Sequence, residues 1–270
     1  MELHVSGGVI AVIIINLILS VALPLVAAIV IKKKKGGTWA AFGIGVLTMF
    51  VFAFVVEGTI NSIVGVSPFG QVLKNSIVVY AIYGGFMAGL FEETGRFVAF
   101  KFFLKKQRDD DNNALMYGVG HGGIEVLLLL GVAMLNNLIY AFMINAGAAD
   151  TILSALPAEL ADQQRAVFEQ LATISAGMLL AAPVERISAM VFHIAASVLV
   201  WYAVKNGGKA TLLYPLAILL HMGLDACAVI MTTVTTNAWL IEAVVMVYAV
   251  VIAIVASVIS KKFKQEAVAV

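Results

Sequence analysis

The chain has 270 residues, of which 62% are hydrophobic and only 12% are charged, whereas a soluble domain typically carries about 25% charged residues. Its mean hydropathy of +1.02 excludes an ordinary soluble globular protein. The formal net charge of +1 indicates no nucleic-acid partner. The single cysteine, Cys227, excludes an intramolecular disulfide framework and a CxxC metal site, so any metal must be held by His and carboxylates.

Apolar stretches long enough to cross a membrane, about 20 residues each, recur along the whole chain. They predict an all-α, polytopic transmembrane helical bundle, a multi-pass protein of the cell membrane surrounded by the lipid bilayer. The first stretch contains Asn16 and Pro24 and lacks a small-residue cleavage site, so we expect it to remain in the protein. The predicted spans are roughly 7–31, 38–56, 76–104, 114–144, 180–204, 210–234 and 238–260.

Basic residues predict the orientation of the bundle, because short loops rich in Lys and Arg stay in the cytoplasm. Thirteen of the 17 basic residues fall into four groups, and seven spans place all four groups on one side. The N-terminus is therefore expected outside and the C-terminus in the cytoplasm. The groups are Lys32 to Lys35; Lys101, Lys105, Lys106 and Arg108; Lys205 with Lys209; and Lys261, Lys262 and Lys264.

Two longer connections, Glu57 to Lys74 and Ala148 to Gly177, are expected on the outer side. The second begins with Pro157 and acidic residues that suit a helix start, and it predicts an amphipathic helix at the outer interface over about 148–177. Its apolar stripe comprises Leu160, Val167, Phe168 and Leu171. No repeat of fixed period is present. We expect a single membrane domain over 1–270, with its catalytic core at about 76–234.

Ionisable residues inside the predicted spans are the strongest functional signal, because such groups are costly in lipid and usually line an internal site. Residues four apart share a helix face, which pairs Glu92 with Arg96, His121 with Glu125 and His221 with Asp225. A rise of about 1.5 Å per residue places these pairs and His193 at similar depths, about 12–18 Å from the cytoplasmic ends. Glu185 and Arg186 lie towards the outer end of their span, where a structural clasp is the simpler interpretation.

A carboxylate and a neutral imidazole across a dry cavity can activate a water molecule, and a second His or an Asp can stabilise the oxyanion or protonate the leaving amine. This chemistry is peptide-bond hydrolysis. His121, His193 and His221 with Glu92 could instead hold Zn²⁺, although no HExxH motif is present. We predict a site without a required cofactor, with Zn²⁺ as the alternative. His4, in the N-terminal tail, is expected to be non-catalytic.

Two non-enzymatic alternatives remain open. Acid and His chains also form proton relays in transporters, although the paired inverted repeats common in transporters are not evident. A peptide-binding immunity protein could use the same cavity without turnover. The sequence leaves the substrate and the oligomeric state undetermined.

Three motifs on different spans resemble the type II CAAX prenyl protease and bacteriocin-immunity (Abi) superfamily of intramembrane peptidases, and within it the bacterial YhfC-like membrane peptidases. The resemblance to the YhfC branch covers most of the chain. It implies an intramembrane endopeptidase acting on a peptide or a membrane-protein segment, by glutamate-activated water or with the help of a metal, and we favour the glutamic type. The motifs are Glu92-Glu93-Thr94-Gly95-Arg96, Tyr117-Gly118-Val119-Gly120-His121 and His221-Met222-Gly223-Leu224-Asp225.

The resemblance implies that Glu92 or Glu93 activates water with His121, and that His221 completes the catalytic set. The supporting residues are Arg96, Glu125, His193 and Asp225. The first motif departs from the superfamily pattern, because two residues instead of three separate Glu93 from Arg96. Helix geometry favours Glu92 as the base, facing the pocket together with Arg96, with Glu125 orienting His121 from behind.

Overall fold

The computed structural model describes residues 3–268 and is helical almost throughout; no β-strand occurs in that range. The long, apolar sequence stretches form helices because a helix satisfies all of its backbone hydrogen bonds internally, as a lipid environment requires. The helices are α1 Gly7–Lys34, α2 Trp39–Gly65, α3 Pro68–Asn75, α4 Ile77–Phe103, α5 Asn112–Asn145, α6 Ala149–Ser154, α7 Ala158–Thr173, α8 Ala176–Asn206, α9 Gly208–Val234 and α10 Ala238–Val268.

Within the described residues, six helices are individually long and apolar enough to cross a membrane: α1, α2, α5, α8, α9 and α10. A seventh candidate combines α3 and α4, which are bent by 118° relative to each other. Ser67 caps α3 and Ser76 caps α4 through their side-chain oxygens, so the bend is built from two regular helix starts. The predicted polytopic helical bundle is confirmed, and each of the seven predicted spans coincides with one long helix.

The predicted connection from Glu57 to Lys74 is wrong in its first half. Helix α2 continues to Gly65, nine residues beyond the predicted end of the second span. A π-helical segment, Phe50–Glu57, carries the helix through this region. The side chain of Asn61 donates to Glu57 Oε1 at 3.0 Å, and this pairing allows both polar groups to lie within the helix.

The amphipathic helix predicted after Pro157 is present as α7. Its apolar stripe is divided, because Phe168 and Leu171 are buried whereas Leu160 and Val167 are exposed. Phe168 packs edge-on against Tyr140 of α5, with ring centroids 5.4 Å apart. Protein contacts therefore cover one half of the stripe. The location of the helix at the outer interface stays a prediction.

The chain divides into two compact units, one comprising Met1–Ala22 and Val126–Arg186 and the other Leu23–Glu125 and Ile187–Val270. In the first unit, buried Asn16 donates to the carbonyl of Leu179 at 2.8 Å, which satisfies an amide that would be costly unpaired. Every predicted site residue lies in the second unit. The single membrane domain over 1–270 stays a prediction.

Glycines permit unusually close helix contacts in the second unit. A Cβ atom at Gly120 of α5 would lie 2.0 Å from the carbonyl oxygen of Phe42, and one at Gly89 of α4 would lie 2.6 Å from that of Ile218. Neither position can hold a larger side chain without displacing a backbone. These glycines pack α5 against α2 and α4 against α9, as small residues do between membrane helices.

Asp111, immediately before α5, anchors the end of α8. It accepts hydrogen bonds from Trp201 Nε1 and the Tyr202 hydroxyl, both at 2.9 Å, and from Lys205 Nζ at 2.6 Å. Burial raises the pKa of Asp111, but these three donors outweigh burial and hold the pKa below its ordinary value. The carboxylate therefore stabilises the folded protein, fully above about pH 4 and progressively less as the pH falls through the folded-state pKa.

We expect Asp111→Asn to lower the free energy of unfolding by about 1–3 kcal/mol near pH 7, because buried donors lose a charged acceptor. The wild type should lose part of its stability between about pH 5 and pH 3, and the variant should lose less over that interval. Thermal unfolding of the purified protein at several pH values measures both effects. Equal acid sensitivity of the two proteins would contradict this assignment.

Candidate active site

Four helices of the second unit bring all eight predicted site residues into one contact network. Helix α4 contributes three of them, α5 and α9 contribute two each, and α8 contributes one. Most of these residues are buried within the protein. Their pairing with one another offsets the free-energy cost of placing charged groups among apolar helices. The residues are Glu92, Glu93, Arg96, His121, Glu125, His193, His221 and Asp225.

One carboxylate oxygen, Glu92 Oε2, lies at the centre of this network. It is 3.0 Å from His121 Nε2, 3.8 Å from His193 Nδ1 and 3.9 Å from His221 Nε2. The three imidazoles come from three different helices. Such convergence of imidazole nitrogens on one carboxylate defines a compact, buried centre suited to proton transfer or to metal binding.

Glu93 has a different set of partners from its neighbour. It forms an ion pair with Arg96, and its Oε1 lies 2.9 Å from His221 Nδ1. Both Glu93 and Arg96 have 0% exposure. A carboxylate paired with a guanidinium stays ionised and accepts hydrogen bonds, so His221 donates from Nδ1, and its Nε2 faces the carboxylates of Glu92 and Asp225. That Nε2 is 3.6 Å from Asp225 Oδ2.

The hydrogen bonds of His193 determine its tautomer. Arg96 Nη2 lies 3.2 Å from His193 Nδ1, and a guanidinium can only donate. Nδ1 is therefore the acceptor, and Nε2 carries the proton that His193 donates to Glu125. In this arrangement Nδ1 of His193 lies on the side of Glu92, and Nε2 is held by the carboxylate of Glu125 on α5.

Two expected pairings are corrected by these contacts. Arg96 forms its ion pair with Glu93, three residues before it, instead of sharing a pair with Glu92. Glu125 holds His193 across the helix interface, and the Nδ1 atom of His121 is buried without a hydrogen-bond partner. Helical spacing predicts which residues share a face, but neighbouring helices decide which partner a side chain selects. Glu92 faces the imidazoles.

Two residues of α2, Thr48 and Glu57, were missed by sequence reasoning. The Tyr117 hydroxyl lies 2.6 Å from Thr48 Oγ1, and its ring lies 5.7 Å from the His121 ring, so α2 helps to position the second motif. Glu57, placed in a connection by the sequence analysis, lies in α2 and accepts a hydrogen bond from Asn61. The only signal in the sequence was an acidic residue at the end of a predicted span.

Three of these side chains could share one metal ion. Glu92, His121 and His193 are all buried, and each offers a ligand atom within 4.8 Å of the other two. Tetrahedral zinc with bonds of about 2.0–2.2 Å places two ligand atoms roughly 3.3–3.6 Å apart, so these side chains would have to close by about 1 Å to hold one ion. Two imidazoles and a carboxylate are also a donor set that zinc uses at catalytic sites.

The fold and this centre define a polytopic membrane protein with a buried carboxylate–histidine cluster. The model of the family described as YhfC intramembrane metalloprotease matches residues 19–246, and the chain belongs to that family. It is therefore a multi-pass membrane hydrolase of the protease class. The chain is 36% identical over 211 residues to the "Uncharacterized membrane protein YhfC" of Bacillus subtilis (strain 168), covering 77% of this chain and 79% of that protein. No solved structure matches.

Proposed function

We propose that this protein is a metal-dependent intramembrane peptidase that hydrolyses a peptide bond in a peptide or membrane-protein segment. The observation that carries the proposal is the buried set Glu92, His121 and His193, with ligand atoms within 4.8 Å of one another. The family description as metalloproteases supports the same conclusion and does not support the cofactor-free site that the sequence analysis preferred. Zinc is the metal that this donor set favours.

A bound divalent cation would supply Lewis-acid polarisation of the scissile carbonyl and of the attacking water. The residues around it have separate tasks. Glu93 neutralises Arg96, so the guanidinium can give up its hydrogen bond to His193 Nδ1 and leave that nitrogen available as a ligand. Glu125 holds the opposite nitrogen of His193, an arrangement that orients a metal-binding imidazole and increases its basicity.

His221 is proposed as the proton carrier. Its Nδ1–H donates to Glu93 at 2.9 Å, which leaves Nε2 facing Glu92 and Asp225 as the atom that accepts a proton. The same Nε2 then delivers that proton to the leaving amine. General acid–base transfer of this kind typically contributes 10²–10⁴-fold to a rate.

A second candidate function, a glutamic peptidase without metal, has one specific observation in its favour. His121 Nε2 lies 3.0 Å from Glu92 Oε2, a hydrogen bond through which Glu92 could act directly as the base for water. This arrangement also supports placing the YhfC family within the CAAX protease and Abi superfamily, which we propose on the three motifs that meet here. Cleavage assays that include prenylated and unprenylated peptides would test how far that relationship extends to substrates.

Metal analysis of the detergent-purified full-length protein distinguishes the two candidates. We expect about one zinc per chain in the wild type, and cleavage of a fluorogenic peptide library that a chelator abolishes and zinc restores. His121→Ala and His193→Ala should each lower zinc affinity by more than about 100-fold, because each removes a direct ligand. Loss of a group that only hydrogen-bonds a ligand typically costs roughly 10–100-fold. His4→Ala, which removes an exposed histidine, is the matched control and should retain the metal.

Cleavage that persists in metal-free wild type and disappears in Glu92→Gln would overturn the proposed metal dependence and support the glutamic mechanism. Peptide binding without turnover by either form would overturn the enzymatic proposal in favour of a binding protein.

We also propose that the N-terminus lies outside and the C-terminus lies in the cytoplasm, with the active site nearer the cytoplasmic face. Lys106 and Asp162 are both exposed and are expected on opposite sides. In a Cys227→Ser background, Asp162→Cys should react with an impermeant maleimide in intact cells, and Lys106→Cys should react only after permeabilisation. The reverse pattern would contradict the orientation.

A further inference from the structure

A groove between α8 and α10, distinct from the active site, combines a cationic end with an apolar body. We call it the lysine groove; its volume is about 420 Å³. Three exposed lysines, Lys35, Lys261 and Lys264, lie at one end. Below them the walls are apolar and are formed mainly by Val191, Ile194 and Val198 of α8 and by Ala253 and Ala256 of α10.

The positive charge at this end is not cancelled by the groove itself. No acidic residue is among the described residues that line it. The nearby acid Asp111 is already engaged by Lys205 and by two aromatic donors. One of these donors, the Tyr202 hydroxyl, also lies 3.1 Å from Ser260 at the rim of the groove. The three ammonium groups therefore face an open site that is suited to an anion.

The apolar body lies in the membrane-spanning part of both helices. Ala253 is eight residues before Lys261, which corresponds to about 12 Å along a helix. Small side chains on α10 leave space that a larger residue would fill. A ligand for this groove must therefore carry negative charge at one end and a hydrocarbon chain of at least that length at the other.

We propose that the lysine groove binds an anionic phospholipid of the surrounding bilayer. Its phosphate-containing headgroup is contacted by Lys35, Lys261 and Lys264, and an acyl chain lies between α8 and α10. Basic pockets between membrane helices bind anionic lipid headgroups through the same combination of charge and apolar surface. The inference does not depend on the active-site chemistry.

Native mass spectrometry of the detergent-purified full-length protein, titrated with phosphatidylglycerol or with phosphatidylcholine of the same acyl chains, tests the proposal. We expect a bound phosphatidylglycerol that phosphatidylcholine does not displace. One lysine near such a headgroup contributes roughly fivefold, so Lys35→Gln/Lys261→Gln/Lys264→Gln should weaken binding on the order of a hundredfold. The matched control is Lys33→Gln/Lys34→Gln/Lys209→Gln, which removes three exposed lysines outside the groove and should bind normally.

Ala253→Phe provides a second variant in which every charge is retained and the apolar body is filled. We expect it to lose phosphatidylglycerol as well, whereas binding of the lipid through surface charge alone would survive this change. Three results would each overturn the proposal. They are equal binding of the two lipids by the wild type, equal losses of phosphatidylglycerol binding in the two triple Lys→Gln variants, and unchanged phosphatidylglycerol binding in Ala253→Phe.

Discussion

Glu92→Gln is expected to lower kcat/KM for peptide cleavage by about 10²–10⁴-fold while the protein remains folded. Glu92 Oε2 lies within 3.9 Å of nitrogens from His121, His193 and His221. A neutral amide of the same shape keeps the packing but removes the charge that a metal or an activated water needs. The assay is cleavage of the fluorogenic peptide, with folding checked by thermal unfolding.

The matched control for this experiment is Glu159→Gln, which makes the same chemical change at an exposed position on α7 and should cleave as the wild type does. Full activity of Glu92→Gln would show that Glu92 is not a catalytic residue. Glu93 would then be the remaining candidate for the catalytic carboxylate in the first motif. Loss of activity together with loss of folding would instead assign Glu92 a structural role.

Glu93→Gln is expected to act mainly on stability, lowering the free energy of unfolding by about 3–5 kcal/mol. Glu93 and Arg96 are fully buried as an ion pair, so removing the carboxylate leaves a buried guanidinium without its ion-pair partner. Glu93→Gln/Arg96→Met removes both charges and should recover a substantial part of the loss, because the cost arises from the unpaired charge. Unfolding in mixed detergent measures the free energies of both variants.

A partly exposed pair provides the comparison for that measurement. Arg186 donates to Glu185 near the start of α8, and the Glu185 side chain is 42% exposed. Glu185→Gln should therefore cost no more than about 1 kcal/mol. Equal losses in Glu93→Gln and Glu185→Gln, or a double variant no more stable than Glu93→Gln, would contradict the assignment of Glu93 and Arg96 as a buried pair.

These two variants separate neighbouring glutamates that the sequence could not distinguish. Adjacent helical residues point about 100° apart, so one of the pair can face a cavity while the other faces a neighbouring side chain. The four-residue spacing from Glu92 to Arg96 favoured their pairing, whereas the folded chain pairs Arg96 with Glu93 and leaves Glu92 towards the histidines. Both spacings lie on one helix face, and only the positions of α5, α8 and α9 decide between them.

The sequence by itself determined the membrane-helical architecture and singled out the ionisable residues that are proposed for the site. Twenty-residue apolar stretches have one stable solution in lipid, a helix with internally satisfied hydrogen bonds. Ionisable residues such as His121 and His221 are too costly there to be incidental. The extent of α2 to Gly65 was missed because Glu57 and Asn61 resemble a loop composition, although they pair with each other within the helix.

Only the tertiary structure decided which groups meet. Helix spacing relates residues three or four apart, but it contains no information on contacts between residues as distant in the chain as Glu125 and His193 or Glu93 and His221. Those contacts depend on how closely the helices approach, and glycines such as Gly89 set that distance. The lysine groove likewise joins the ends of α1 and α10, because packing and not sequence order brings their lysines together.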